Sequence, residues 1–290
     1  MGESAGAVAV LLHLALPVSG PGTVFQSAAV HSAPCVAAPH ELECVSSLEH
    51  MQRTVADPLA AAAGCAPSAQ VVNSTVDGIR VAGLDTEQMV CLRSLPVETI
   101  VELANGLTGA SFHPAFGVES VPTDPIASLM EEGTPVRRVI LGWNEHDGTQ
   151  FAPGSWAVDS ETNATHCCPV PIPPISEAVW MEQLRAAVGE QPEPVPGRQS
   201  ATALESQARA LYSVDTAQES GHEYGTIAGP DGVDRWWQLV DLITDTKFKC
   251  PTLRLAERLS SHYAAREASG AEELAVWSGV RVFQFNQRSR

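Results

Sequence analysis

The chain has 290 residues, 44% of them apolar, and its 17 basic and 34 acidic side chains give a formal net charge of −17. Such a chain can bury a large core, and its negative charge argues against a nucleic-acid-binding protein because phosphates would be repelled. No stretch approaches the roughly 20 apolar residues of a membrane span, and no basic-then-apolar segment indicates a signal peptide.

The first element is the pentapeptide GESAG at residues 2–6, which has the Gly-x-Ser-x-Gly pattern of a nucleophile elbow. In such an elbow a serine, here Ser4, occupies a sharp turn between a strand and a helix, and both glycines are expected to be sterically required. Residues 5–16 are apolar nearly all round and predict a buried helix. The pattern alone leaves open an ordinary helix N-terminus with Ser4 as its cap.

The remaining elements follow from periodicity and from turn residues. Strands are predicted over residues 23–31, over 136–142 as a buried strand, and over 280–285 as a half-buried strand. Helices are predicted over residues 40–65, 97–105, 176–188 and 253–268. Irregular connections are predicted over residues 152–175 and 190–200, which are rich in proline and polar residues, and a glycine-rich loop over 222–234.

The order of several motifs resembles the type-B carboxylesterases, the family that includes the cholinesterases. The motifs are the elbow with His13-Leu14, Phe25 with residues 28–32, Gly64-Cys65 with Cys91-Leu92-Arg93, residues 141–148 (LGWNEHDG), residues 248–251 (FKCP) and residues 282–289 (VFQFNQRS). The resemblance implies an α/β fold: the C-terminal half of an α/β-hydrolase, with an incomplete, mostly parallel sheet flanked by helices. Residues 1–290 are then expected to form part of one carboxylesterase domain, truncated at both ends.

The resemblance also assigns roles in a serine esterase. Ser4 would be the nucleophile, and the backbone N–H of Ala5 would be one donor of the oxyanion hole. Asp147 would be the acid of the catalytic triad, at a position where the family most often has glutamate, with Glu145 as the fallback. The other interpretation of Asp147 is a loop aspartate that hydrogen-bonds a turn before Gly148.

The base of the triad is not found. In the family it lies on a loop after the strand predicted here at residues 280–285, whereas His166, His222 and His262 all precede that strand. The glycine-rich loop that supplies the other oxyanion donors would precede the elbow. We therefore expect a carboxylic ester hydrolase, acting on a small-molecule ester through an acyl-serine intermediate without a cofactor, whose 290 residues are inactive alone.

Two other interpretations remain open at this stage. A cholinesterase-like adhesion protein would use the same fold to bind partners, although such relatives typically lack the nucleophile. A non-functional gene fragment is compatible with the proline-rich insertions and the unassigned cysteines.

Seven cysteines and two glycosylation sequons, at Asn73 and Asn163, favour an oxidising, secretory compartment. The resemblance pairs Cys65 with Cys91. It provides no partner within the chain for the other cysteines, which are Cys35, Cys44, Cys167, Cys168 and Cys250. Residues 166–168 (HCC) are not expected to bind a metal, because three adjacent residues cannot converge on a tetrahedral ion.

Overall fold

The fold is described from a computed structural model of the chain. It covers residues 1–16, 25–37, 42–65, 75–76, 79–80, 86–107, 114–118, 121, 123–134, 136, 138–152, 156–158, 165–167, 175–188, 201–212, 235–269 and 279–285. The sequons at Asn73 and Asn163, together with His222 and Cys168, lie outside these residues.

The described elements are twelve strands and ten α-helices. The strands are β1 (Gly2–Glu3), β2 (Ser27–His31), β3 (Val36–Ala37), β4 (Leu42–Glu43), β5 (Ser46–Ser47), β6 (Thr75–Val76), β7 (Ile79–Arg80), β8 (Ala115–Phe116), β9 (Arg138–Asn144), β10 (Trp156–Val158), β11 (Thr165–Cys167) and β12 (Gly279–Phe285). The helices are α1 (Ala5–Ala15), α2 (Leu48–Met51), α3 (Asp57–Ala62), α4 (Thr86–Ser94), α5 (Val97–Gly106), α6 (Pro125–Glu132), α7 (Glu177–Val188), α8 (Ala201–Leu211), α9 (Trp236–Thr244) and α10 (Cys250–Ala268). Two π-helical segments, Gln52–Ala56 and Asp245–Lys249, join α2 to α3 and α9 to α10.

The central sheet has four parallel strands in the order β1-β2-β9-β12. Arg138 at the start of β9 pairs with Ser27 of β2 on one side and with Gly279 of β12 on the other. Because all four strands run in the same direction, their carboxyl ends meet at one edge of the sheet, and ligand sites in such sheets form there. The turns after β1, β2 and β9 therefore converge.

Helices α1 and α10 pack against this sheet, α6 packs against both of these helices, and the three helices form the main core with the sheet. Every second residue of β9 points into that core, so Val139 and Leu141 are fully buried while Ile140 is 44% exposed. The largest buried side chains from the helices are Leu11, Leu14, Ile126, Leu129 and Leu259. A second apolar cluster lies around α7 and α9, centred on Trp180, Leu184, Trp236 and Leu239.

The α/β fold with a mostly parallel sheet flanked by helices is confirmed. Helices α1, α5, α7 and α10 agree with the predicted helices to within three residues at each end, and strand β9 is shifted by two residues from its predicted range. Strand β2 begins at Ser27, four residues later than predicted. Among the described helices, none is both long enough and apolar enough to cross a membrane.

Three sequence-based predictions were wrong in part. Residues 40–47 are not helical where described, because β4 and β5 occupy 42–43 and 46–47 and the helix begins at Leu48. Residues 156–158 and 165–167 are not irregular but form an antiparallel ribbon, β10 with β11. The residues of β12 from Arg281 to Phe285 are exposed rather than half-buried. The described elements leave their side chains uncovered, and the outer edge of the strand pairs with no described strand.

Candidate active site

Ser4 occupies a backbone conformation that few residues adopt. It lies between β1 and α1 with φ 53° and ψ −123°, and its side chain makes no capping hydrogen bond to the helix. Its N–H donates to the carbonyl oxygen of His31 at 3.0 Å, and its own carbonyl accepts from Ala7 N–H at 2.9 Å. The hydroxyl is therefore not used as a helix cap, and the turn has the strained geometry expected of a nucleophile elbow.

The two glycines of the elbow differ in how strictly the structure requires them. A β-carbon on Gly2 would lie 2.1 Å from the carbonyl oxygen of Gly6 and 2.8 Å from the nitrogen of Ala7. A β-carbon on Gly6 would meet no atom within 4 Å. The expectation that both glycines are sterically required therefore holds for Gly2 and is wrong for Gly6 within the described structure.

Ala5, the predicted oxyanion donor, is the first residue of α1 and is exposed. The N–H groups in the first turn of a helix have no acceptor within the helix, and the helix dipole favours negative charge there. The Ala5 amide thus has the chemistry of an oxyanion donor, and it directly follows Ser4.

Asp147 begins a short 3₁₀ helix, Asp147–Gln150, that follows β9. One carboxylate oxygen, Oδ2, accepts from Ser32 Oγ at 2.7 Å and from the backbone N–H of Asn144 at 2.8 Å. The other, Oδ1, accepts from Asn144 Nδ2 at 2.8 Å. The carboxylate thus hydrogen-bonds its own turn, as a loop aspartate would, and is also tied to the end of a neighbouring strand.

Gly148 fixes this turn against α9. Its N–H donates to Thr244 Oγ1 at 2.8 Å, and that hydroxyl donates in turn to the carbonyl oxygen of Val240 at 2.8 Å. A β-carbon on Gly148 would lie 2.1 Å from the same Val240 oxygen. Only glycine lets the turn that carries Asp147 approach the helix so closely.

Ser32 is a site residue that the sequence analysis did not identify. It follows β2 with φ 52°, is 2% exposed, and its N–H donates to the carbonyl oxygen of Gly142 at 2.8 Å. Among the described residues, Ser4 and Ser32 are the non-glycine residues with positive φ. Ser32 and Asp147 are 115 residues apart, so no local pattern links them, although Ser32 ends the family-like segment 28–32.

Ser4 and Asp147 line the same open cleft at the carboxyl edge of the sheet, with a volume of about 360 Å³. The cleft walls combine carboxylates with aromatic rings. The carboxylates are Glu3, Glu145 and Asp147, and the rings include Phe151, Phe248 and Phe285. The structure therefore brings the two predicted catalytic side chains to one site, and places Ser32 and Asn144 beside them.

One described histidine, His146, lines this cleft, whereas His166 and His262 are not among its lining residues. The ring of His146 is 3.8 Å from an Asp241 carboxylate oxygen and edge-on to Trp237. His262 lies in α10, where Nε2 is 3.1 Å from the carbonyl oxygen of Met130. His166 lies in β11 rather than in a loop.

The cysteines form two disulfides among the described residues. Cys65 is bonded to Cys91, the pair that the resemblance implied, and Cys35 is bonded to Cys44, a pair that the sequence did not identify. Cys250 is free, and partial burial together with the Asp245 carboxylate raises the pKa of its thiol. Cys167 lies in β11.

The sequence profile described as the carboxylesterase family matches residues 1–269. The chain belongs to the carboxylesterase family. This match confirms the resemblance found in the sequence. A search of curated protein sequences found no match to the chain.

Solved carboxylesterases share the fold at low sequence identity. The carboxylesterase EST55 of Geobacillus stearothermophilus is 17% identical with a TM-score of 0.57, and the match covers 100% of this chain and 43% of that one. A PNB esterase is 15% identical with a TM-score of 0.50 over 98% and 41% of the two chains. EstA of Aspergillus niger is 15% identical with a TM-score of 0.50 over 91% and 40%. This carboxylesterase-family chain thus spans about two fifths of the length of the solved structures it matches.

Proposed function

We propose that this chain carries the nucleophile and the acid of a serine carboxylesterase that hydrolyses a small-molecule ester through an acyl-enzyme. The observation that carries the proposal is the strained Ser4 turn, whose hydroxyl makes no cap bond and which shares a cleft with the Asp147 carboxylate. The presence of both residues favours a hydrolase over a binding protein of the same fold.

In this mechanism Ser4 Oγ attacks the ester carbonyl and an imidazole accepts its proton. The tetrahedral oxyanion receives a hydrogen bond from the Ala5 N–H at the start of α1. The imidazolium gives the proton taken from Ser4 to the leaving oxygen, so that collapse of the intermediate releases the alcohol and leaves an acyl group on Ser4. Water, deprotonated by the same imidazole, then attacks the acyl carbonyl, and collapse of the second intermediate releases the carboxylic acid and returns the proton to Ser4 Oγ. Asp147 accepts the second imidazole N–H and orients the ring.

The imidazole has no assigned residue in the chain. The family resemblance puts the histidine on a loop after β12, and residues 286–290 (NQRSR) contain none. We propose that the base comes from polypeptide outside these 290 residues, as do further oxyanion donors. Loss of the triad histidine costs on the order of 10⁶ in turnover, or about 8 kcal/mol of transition-state stabilisation. The 290 residues alone should therefore be nearly inactive.

Added imidazole can test this proposal, because it can act as the missing base in solution. The assay is hydrolysis of p-nitrophenyl acetate by the 290-residue chain over a series of imidazole concentrations. Ser4→Ala gives the background rate, and Ser261→Ala, an exposed α10 serine, is the matched control. We expect slow Ser4-dependent turnover that rises and saturates with imidazole.

Two results would count against the proposal in different ways. If Ser4→Ala and the unsubstituted chain have equal rates at every imidazole concentration, the nucleophile assignment is wrong. If the chain reaches ordinary enzyme rates without imidazole, the assignment of the base to other polypeptide is wrong, although an esterase function stands.

We further propose that the chain belongs to one carboxylesterase domain of a secreted glycoprotein. The two disulfides support an oxidising compartment, and the two-fifths coverage of the solved structures supports a partial domain. Secretion from a eukaryotic host should give a product whose mobility shifts on deglycosylation. Asn73→Gln and Asn163→Gln should each remove one step of that shift, and an unchanged pattern would refute the sequon assignments.

A further inference from the structure

The Asp147 carboxylate is held at both of its oxygens, and Asn144 supplies two of its three hydrogen bonds. The geometry points to Asn144 as a positioning residue, whose side-chain amide fixes Asp147 Oδ1 so that this oxygen accepts the N–H of the catalytic imidazole. The inference rests on the proposed function, because it concerns how the acid of that reaction is oriented.

The donors and acceptors in this cluster can be assigned from chemistry. An ionised carboxylate only accepts hydrogen bonds, and Ser32 has a single hydroxyl proton, which it donates to Asp147 Oδ2 at 2.7 Å. Asn144 Nδ2 lies 2.8 Å from Asp147 Oδ1 and 3.4 Å from Ser32 Oγ. Both neighbours need a donor, so the amide must present its NH₂ group to them.

Counting acceptor positions indicates which oxygen faces the imidazole. A carboxylate offers about four acceptor positions, two on each oxygen. Oδ2 uses both of its positions, for Ser32 Oγ and for the backbone N–H of Asn144. Oδ1 uses one, for Asn144 Nδ2. The remaining acceptor position therefore belongs to Oδ1. Asp147 and Ser4 both line the cleft.

The amide contact matters because the carboxylate can otherwise rotate. The χ2 angle of aspartate has a broad, shallow preference, so bonds to Oδ2 alone leave Oδ1 free to swing about that anchor. An aspartate is also one methylene shorter than the glutamate that the resemblance leads one to expect, which leaves less reach to compensate for a wrong orientation. The hydrogen bond from Asn144 Nδ2 to Asp147 Oδ1 prevents this rotation.

The test compares Asn144→Leu with Asn105→Leu in the 290-residue chain. Leucine has a similar size without the donor, and Asn105 is exposed near the end of α5. The readout is the imidazole dependence of Ser4-dependent p-nitrophenyl acetate hydrolysis. Because a misplacement of about 1 Å costs roughly 100-fold in rate, we expect the saturating rate of Asn144→Leu to fall by roughly 10- to 100-fold. The imidazole concentration for half-saturation should rise, while KM for the ester stays unchanged.

A merely structural role would lower stability without moving the imidazole half-saturation. If Asn144→Leu folds and keeps both the rate and the half-saturation of the Asn105→Leu control, the inference is overturned while the esterase proposal stands. If even the unsubstituted chain shows no Ser4-dependent rate, the esterase proposal fails together with the role of Oδ1 in catalysis, and crystal structures then test the positioning of Asp147 by Asn144 separately. Displacement of Oδ1 by about 1 Å with the Ser32 contact retained would support it, and an unmoved carboxylate would overturn it.

Discussion

Replacing Gly148 by alanine would put a methyl group between the turn that carries Asp147 and helix α9. The new carbon would lie 2.1 Å from the carbonyl oxygen of Val240 and 2.9 Å from the nitrogen of Thr244, whereas ordinary contacts begin near 3.4 Å. The turn and the helix must therefore separate by about 1.3 Å. Overpacking of this kind costs about 1–3 kcal/mol, and stretching the Gly148 N–H bond to Thr244 Oγ1 adds about 1 kcal/mol. We expect a loss of about 2–4 kcal/mol.

Urea denaturation followed by far-ultraviolet circular dichroism measures this loss. The matched control is Gly106→Ala at the end of α5, where a β-carbon would meet no atom within 4 Å, so its stability should not fall and should rise by up to about 1 kcal/mol, as for other helical glycines. Gly148→Ala should also lower the imidazole-dependent esterase rate, because Asp147 is the adjacent residue. Equal unfolding midpoints for the two variants would refute the close approach described for Gly148.

The remaining predictions concern the elbow, a buried tyrosine and a disulfide. Gly2→Ala should lower the imidazole-dependent, Ser4-dependent hydrolysis of p-nitrophenyl acetate because its β-carbon would overlap the Gly6 carbonyl, whereas Gly6→Ala should preserve that rate and stabilise α1 by about 0.5–1 kcal/mol. The reverse order of the two rates would contradict the elbow geometry. Burial raises the pKa of Tyr263 to about 12, and its hydroxyl donates to the carbonyl oxygen of Val136. Its neutral form is thus favoured in the folded state, so stability should be lost between pH 10 and pH 12, by at most about 3 kcal/mol. Denaturation across this range should show less of that loss in Tyr263→Phe, and equal slopes would refute the assignment. Replacing both Cys35 and Cys44 by alanine should cost about 2.6 kcal/mol, since the disulfide closes a span of 9 residues; an unchanged urea midpoint would contradict a stabilising role.

The sequence predicted the parts of the site that are local. An elbow is a short motif with a fixed spacing, and the turn at Asp147 follows directly from the buried strand β9. The two hydrogen-bond partners of Asp147, the proposed acid, could not be predicted from the sequence, for different reasons. Asn144 is only three residues from Asp147, but its amide has no sequence signal that distinguishes it from an ordinary turn residue. Ser32 meets Asp147 only because β2 and β9 are neighbours in the sheet.

The errors in the fold also have physical causes. The composition of residues 40–65 favours helix, yet the disulfide between Cys35 and Cys44 closes the β3–β4 hairpin, so the helix begins only at Leu48. For β12 the alternation of residues was a correct signal of a strand. Its burial could not be predicted, because burial depends on which elements cover the strand rather than on its own residues.

The end of β2 holds the proposed nucleophile, Ser4, and the proposed acid, Asp147, through consecutive residues. The carbonyl of His31 receives the N–H of Ser4, and the hydroxyl of Ser32 binds the carboxylate of Asp147. Ser4 and Asp147 are thus both hydrogen-bonded to the same short segment of backbone. A small displacement of β2 should therefore move both residues together and leave the distance between them nearly unchanged. Substitutions in the surrounding helices that displace β2 would therefore move Ser4 and Asp147 together, and would change their position relative to a bound molecule more than their position relative to each other.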